Sequence, residues 1–320
     1  FQSVKRVFDQ GGILFRHSFD HLRNDTYMVR DFEEAFALRM RSPRALAVTS
    51  GTAALRVALA ALNIKEEDEV ITQSFTFVAT VEAIIESQAK PVCCEIDSTL
   101  NMDPLDLTEK ITPKTKAIVV VHMLGTPARL HEVLAVCEER GIAVIEDTAW
   151  GCGGSFNGRP MGTWGRIGTF SFDAAKTMTT GEGGMVTTNK EEISKKVSLQ
   201  RLHGIKGDAW KRYENKNDWY YEVVDLGYKY NMTDIQSALG LVQLEKLKWM
   251  RDERKKIAGK YIETFSGKIE FIDEIPGNVS SWHLFVIKVT NRDELHKKLK
   301  EKGINTSVHF IPIHKHPFYK

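Results

Sequence analysis

"KAIVVVHMLG" occupies residues 116–125. Its apolar run has no alternation with polar residues, so it reads as a strand with both faces covered. "ARLHEVLAVCEERG" (128–141) follows as a helix, and "AVIEDTA" (143–149) as another apolar strand. The same alternation extends upstream. "ALAVTSG" (45–51) is a strand running into a turn, and "TAALRVALAAL" (52–62) is a helix. "DEVITQ" (68–73), "TFVATVEAIIESQ" (76–88) and "KPVCCEID" (90–97) continue as strand, helix, strand. Downstream, "GTFSFD" (168–173) and "GGMVTTN" (183–189) add two more strands. Such a pattern predicts an α/β fold: a three-layer α/β/α large domain around a mostly parallel sheet.

Past residue 190 the rhythm changes. "EEISKKVSLQRLHG" (191–204) is helical and charged, and "DAWKRYENKNDWYYEV" (208–223) is aromatic and polar. A long helix then starts at Thr233, a good N-cap residue, and runs through "DIQSALGLVQLEKLKWMRDERKKIAGKYIETF". "SSWHLFVIKV" (280–289), "RDELHKKLKEKG" (292–303) and "INTSVHFIPIH" (304–314) read as strand, helix and strand. We therefore expect a large domain with an N-terminal arm over residues 1–240. A small α+β domain is expected over 241–320, incomplete at its end. Residues upstream of Phe1 are also expected, since no initiator Met is present.

The 320 residues are 42% hydrophobic and 27% charged, with a net charge of +2. So small a charge argues against a nucleic-acid partner or an anionic membrane surface. No window has the apolar length of a membrane span, and no signal-peptide core is visible, so a cytoplasmic location is expected. The four cysteines, Cys93, Cys94, Cys137 and Cys152, lack CxxC spacing. They read as buried structural thiols, with no metal site.

Ligands of open parallel sheets bind beyond the carboxyl ends of the strands. "VTSGT" puts Ser50, Gly51 and Thr52 between a strand and a helix, where amide N–H groups and the helix dipole suit a phosphate. The same residues also fit a plain capped turn. "VIEDTAW" ends a strand at Asp147, a capping carboxylate or a partner for a cationic ring nitrogen. "SFDAAK" offers Ser171 and Lys176 among small residues, and "GEGG" follows closely. A lysine in such a setting becomes a nucleophile when its pKa falls; otherwise it is a solvated surface charge. Phe75 and Phe77 follow another strand, as core residues or as cover for a flat ring. A phosphate turn, a carboxylate for a ring nitrogen, an aromatic cover and a Schiff-base lysine are together what pyridoxal 5'-phosphate (PLP) requires.

In order along the chain, "SGTAAL", "DEVITQSFTFVAT", "VIEDTAWGCGG", "GTFSFDAAKTMTTGEGGMV", "RLHGI" and "GYKYNMTDIQSALGLVQLEKL" resemble the DegT/DnrJ/EryC1/StrS sugar aminotransferases. These are PLP enzymes of fold type I, and the likeness covers the chain from about residue 24. It implies that Lys176 holds the cofactor and later moves a proton. It implies that Asp147 pairs with the ring nitrogen, that Ser171 and the Gly51–Thr52 amides hold the phosphate, and that Phe77 stacks on the ring. The family's homodimers share active sites, so Lys229 or Asn231 would reach the neighbouring subunit's phosphate. His309 and His314 stand as substrate-side candidates, with structural histidines as the alternative. Trp150 occupies a position where the family commonly has Gln or His near the cofactor's ring oxygen. An indole N–H donates but does not accept.

The resemblance implies amino transfer from L-glutamate to a keto-sugar. The acceptor would be a nucleotide-linked 4-keto-6-deoxyhexose or a relative, for lipopolysaccharide, surface-glycan or antibiotic-sugar synthesis. Trp150 leaves room for a keto-octulosonate. Sugar dehydratases of the family carry His in place of the lysine, and Lys176 argues against that activity. A nicotinamide oxidoreductase is disfavoured because "GCGG" and "GEGG" do not fit GxGxxG at the first strand–helix turn. A non-catalytic regulator is disfavoured by the intact Lys176, Asp147 and Ser171.

Overall fold

The computed structural model describes residues 1–16, 19–206, 220–272 and 274–319, so most of the aromatic section at 208–223 lies outside the described residues. In chain order the elements begin with α1 (Gln2–Asp9), α2 (Met28–Met40), β1 (Arg44–Val48), α3 (Gly51–Ala61), β2 (Glu69–Gln73) and α4 (Val78–Glu86). Next come β3 (Lys90–Cys94), α5 (Pro104–Lys110), β4 (Thr115–Val121), α6 (Leu130–Glu139) and β5 (Ala143–Asp147). The short pair β6 (Ser155–Phe156) and β7 (Arg159–Pro160) precedes β8 (Ile167–Ser171), β9 (Gly184–Thr188) and α7 (Glu191–Gln200). The chain continues through α8 (Asp234–Phe265), β10 (Glu270–Phe271), β11 (Ile287–Lys288) and α9 (Arg292–Glu301).

Seven strands form one sheet in the order β1-β9-β8-β5-β4-β2-β3. The β3/β2, β2/β4, β4/β5 and β5/β8 pairs are parallel, and β9 runs antiparallel to both β8 and β1. The alternation within β4 shows why its run is continuous. Ala117 and Val119 pack with α3 and α7 residues on one face, while Ile118 and Val120 pack with α5 and α6 residues on the other. Phe32 and Phe36 of α2 meet Phe170 and Phe172 on the second face, where α8 adds Leu244 and Leu247. Burial of these side chains is the main stabilising term, roughly 1.5–3 kcal/mol for each large one.

Helix α8 starts at a capping box: Thr233 Oγ1 faces the Gln236 N–H, and Gln236 Oε1 accepts from the Thr233 N–H. The helix runs unbroken from Asp234 to Phe265. Two expectations do not hold. "INTSVHFIPIH" forms no strand: a strand exists only through a neighbour's ladder, and this segment instead lays Phe310 on Phe77 and Trp150. Cys94, Cys137 and Cys152 are buried free thiols, but Cys93 is exposed because edge strand β3 turns it outward. Burial pushes the Cys137 and Cys152 thiols up to about 12, which keeps them unreactive. Among the described residues no helix is long and apolar enough to cross a membrane, and no three His, Cys, Asp or Glu side chains group as metal ligands.

Candidate active site

The sheet register brings the separate motifs to one edge. Val121 pairs with Asp147, Asp147 with Thr169, Ser171 with Gly184, and Gly184 with Val48. The carboxyl ends of β1, β4, β5 and β8 thus open on the same side, with Ser50, Asp147 and Ser171 at or just beyond them. Ser50 caps α3, its Oγ accepting from the Ala53 N–H at 3.0 Å. Gly51 lies so close to β8 that a Cβ there would stand 2.7 Å from the Ser171 Cβ. Glycine therefore lets the amide end of α3 and the Ser171 hydroxyl share one small space. An anion placed there meets backbone N–H groups, a hydroxyl and the positive end of a helix dipole.

Asp147 is 4% exposed. Its Oδ2 accepts from Thr80 Oγ1 at 2.9 Å and its Oδ1 from the Ala149 N–H at 3.1 Å. Burial raises its pKa; those two hydrogen bonds and the Lys176 charge oppose the rise without cancelling it. A buried carboxylate with two neutral donors is short of a cation, and a protonated ring nitrogen would supply one. Beneath it, Glu146 is tied to the Gly162, Trp164 and Gly165 N–H groups at 2.6–2.8 Å and to His122 Nε2 at 3.0 Å. His122 Nδ1 accepts from the Ala128 N–H, which leaves the proton on Nε2, facing Glu146. This network fixes the strand end that carries Asp147.

Lys176 sits on the turn after β8, its N–H donating to Asp173 O at 3.0 Å. Its side chain is half-buried, and its Nζ lies 5.0 Å from the centroid of the Trp150 ring. Burial lowers its pKa, against the pull of Asp147 and Asp173. Among the described residues, Nζ is in no ion pair, and both carboxylates act on it only through their charge. Trp150 is buried and packs against Phe310, ring centroids 5.5 Å apart. Phe75 joins the Trp150 cluster as a core residue, whereas Phe77 is 48% exposed and reaches Phe310 at 5.5 Å. Of the two phenylalanines, Phe77 is the more exposed and has the larger face to cover a ligand.

The residues here match the needs of PLP in kind: an anion cradle, an uncompensated buried carboxylate, a free aromatic face and a lysine of lowered pKa. Thr52 lies in the first turn of α3, partly exposed. His309 is close enough for the Lys176 charge, after burial, to depress its pKa. His314 is exposed on the turn after 312. Lys229 and Asn231 lie on the segment that pairs Leu202 with Lys229, beside the stacked Tyr228 and Tyr230. Among the described residues, no hydrogen bond links their side chains to Lys176 or Asp147 of the same chain. Sequence reading missed Thr80 and His283. Thr80 looks like an ordinary helix residue, and His283 comes from "SSWHLF", some hundred residues beyond Lys176.

The profile of the DegT/DnrJ/EryC1/StrS aminotransferase family matches residues 20–320. An uncharacterised protein of Methanocaldococcus jannaschii, MJ1066, is 45% identical over 298 residues, 90% of this chain and 77% of that protein. The spore coat polysaccharide biosynthesis protein SpsC of Bacillus subtilis is 42% identical over 309 residues, covering 91% and 78%. Among solved structures, the putative sugar aminotransferase Spr1654 from Streptococcus pneumoniae, in its PMP form, superposes with a TM-score of 0.90 at 28% identity. That match covers 99% of this chain and 85% of the other. The chain belongs to the DegT/DnrJ/EryC1/StrS aminotransferase family and is a PLP-dependent sugar aminotransferase.

Proposed function

We propose that this enzyme moves the amino group of L-glutamate to a keto-sugar, with a nucleotide-linked 4-keto-6-deoxyhexose as acceptor. The observation that carries the reading is the pairing of Lys176, its pKa lowered by burial, with the buried Asp147 one strand away. The names of SpsC and Spr1654 support a sugar as acceptor and a role in surface-glycan synthesis.

Bound PLP supplies an electron sink that stabilises negative charge on the carbon losing its proton. The chain's residues do the rest. Asp147, held by Thr80 and Ala149, would keep the ring nitrogen protonated. Ser171, Ser50 and the Gly51–Thr52 amides would hold the phosphate, and Phe77 would cover the ring. Lys176 would hold the cofactor through Nζ, and as a free amine the same Nζ would take the proton from the glutamate carbon and return one on the other side of the transfer. The fall in pKa raises the fraction of neutral amine available for both tasks. Lys229 or Asn231 would act across a homodimer, touching the partner site's phosphate. A cytoplasmic setting is the companion expectation.

Incubation with L-[15N]glutamate and the nucleotide-linked 4-keto-6-deoxyhexose tests this proposal. Mass spectrometry should show a 15N-amino sugar and an equal amount of 2-oxoglutarate. A deoxygenated sugar without nitrogen would instead mean dehydration. The wall formed by Trp150 and Phe310 supports one second reading, a keto-octulosonate without a nucleotide. Amination of that sugar alone would favour it.

A further inference from the structure

Residues 280–284, from a distant part of the chain, are tied to Trp150, whose ring centroid lies 5.0 Å from Lys176 Nζ. The Ser281 N–H and the Ser280 hydroxyl both donate to Gly125 O, at 2.9 and 3.0 Å. Ser281 Oγ donates to Trp150 O at 2.5 Å. Gly125, at φ +99°, allows this approach: a Cβ there would overlap Ser281 Oγ and stand 3.1 Å from the His283 N. On the other side, Arg254 Nη1 donates to His283 O at 2.9 Å. The His283 backbone is thus fixed on both sides.

The His283 side chain is 8% exposed, and its Nδ1 is fully enclosed with no hydrogen-bond partner among the described residues. A buried N–H without an acceptor is costlier than a bare lone pair, so the proton belongs on Nε2. A second proton would place an unpartnered cationic N–H near Lys176, Arg254 and His309, opposed by the Asp173 charge. Burial first, then those cations, hold its pKa down at about 3.

We propose that His283 positions the acceptor: a neutral imidazole that donates a hydrogen bond from Nε2 to an uncharged oxygen of the keto-sugar beside Lys176. A neutral donor suits a ketone or hydroxyl oxygen, whereas the carboxylates of glutamate call for a cation. The proposal rests on Lys176 being the cofactor-bearing lysine.

Two measurements on the PLP-loaded enzyme test it. In 15N-histidine NMR, the His283 signals, assigned by their loss in His283→Gln, should show the Nε2–H tautomer and no titration from pH 5 to 9. In steady state, His283→Phe should raise the KM for the nucleotide-linked 4-keto-6-deoxyhexose about tenfold, the worth of one neutral hydrogen bond. The half-reaction with glutamate should stay within about twofold, and His283→Gln should recover most of the loss. A titrating or Nδ1-protonated imidazole, or an unchanged acceptor KM in His283→Phe, overturns the proposal. The NMR arm decides even if His283→Phe does not fold. Failure of the Lys176 reading would show separately, as borohydride labelling of PLP on another residue.

Discussion

In the proposed mechanism, two side chains at neighbouring strand ends set the chemistry. Asp147 keeps its charge only with help, and Thr80 supplies one of its two hydrogen bonds. Thr80→Val should therefore push the Asp147 carboxyl further up and lower kcat/KM by about tenfold, one charge-assisted hydrogen bond. Asp147→Asn should cost on the order of a hundredfold or more, as loss of a preorganised charge does elsewhere. A fall of less than tenfold in Asp147→Asn would remove that residue from its assigned role. Lys176 was legible in the sequence because small residues and glycines surround it, and Asp147 because it ends an apolar strand. Thr80 and His283 were not. Their roles come from contacts across 67 residues in one case and a packing fold-back in the other, which no local pattern encodes.

At the scale of elements, α2 is joined to the sheet by a buried charge. Glu33 accepts from the Ala47 N–H at 2.9 Å and pairs with Arg201 at 2.5 Å and Arg16 at 2.6 Å. Burial alone would raise its pKa, but Arg201 and Arg16 outweigh burial and lower it. A depressed carboxyl contributes stability that is present above its unfolded pKa and lost as pH falls through the folded value. Glu33→Gln should destabilise the chain by about 3 kcal/mol at pH 7 in urea unfolding. The difference should shrink below pH 4.5, the ordinary glutamate value. A pH-independent difference would show that the pair adds no net charge stabilisation. Helix α8 offers a smaller test: Thr233→Ala, which removes the capping box, should cost about 1 kcal/mol. That N-cap and the strand alternation were readable because both are local. The strand expected at 304–314 was misread because its alternation serves packing on Trp150 and Phe77 rather than a ladder.

Over the whole molecule, the order of motifs along the chain carried the α/β reading, and the parallel register then explained why distant motifs meet at one edge. Among the described residues, neither the Lys229 nor the Asn231 side chain hydrogen-bonds to Lys176 or Asp147 of its own chain, and we propose that they complete the site of a second subunit. Lys229→Ala and Lys176→Ala should each lose activity, and mixing them under subunit exchange should restore a measurable part of it. In a mixed dimer one site regains both residues. A mixture no more active than its components would place Lys229 outside the neighbouring site.

The most direct test of the central claim is borohydride reduction of the PLP-loaded enzyme followed by peptide mapping. We predict that the reduced phosphopyridoxyl group appears on the "SFDAAKTM" peptide at Lys176. It should disappear when L-glutamate is added before reduction, as the cofactor leaves the lysine with the amino group. A label on any other lysine, or one that survives glutamate, would contradict it.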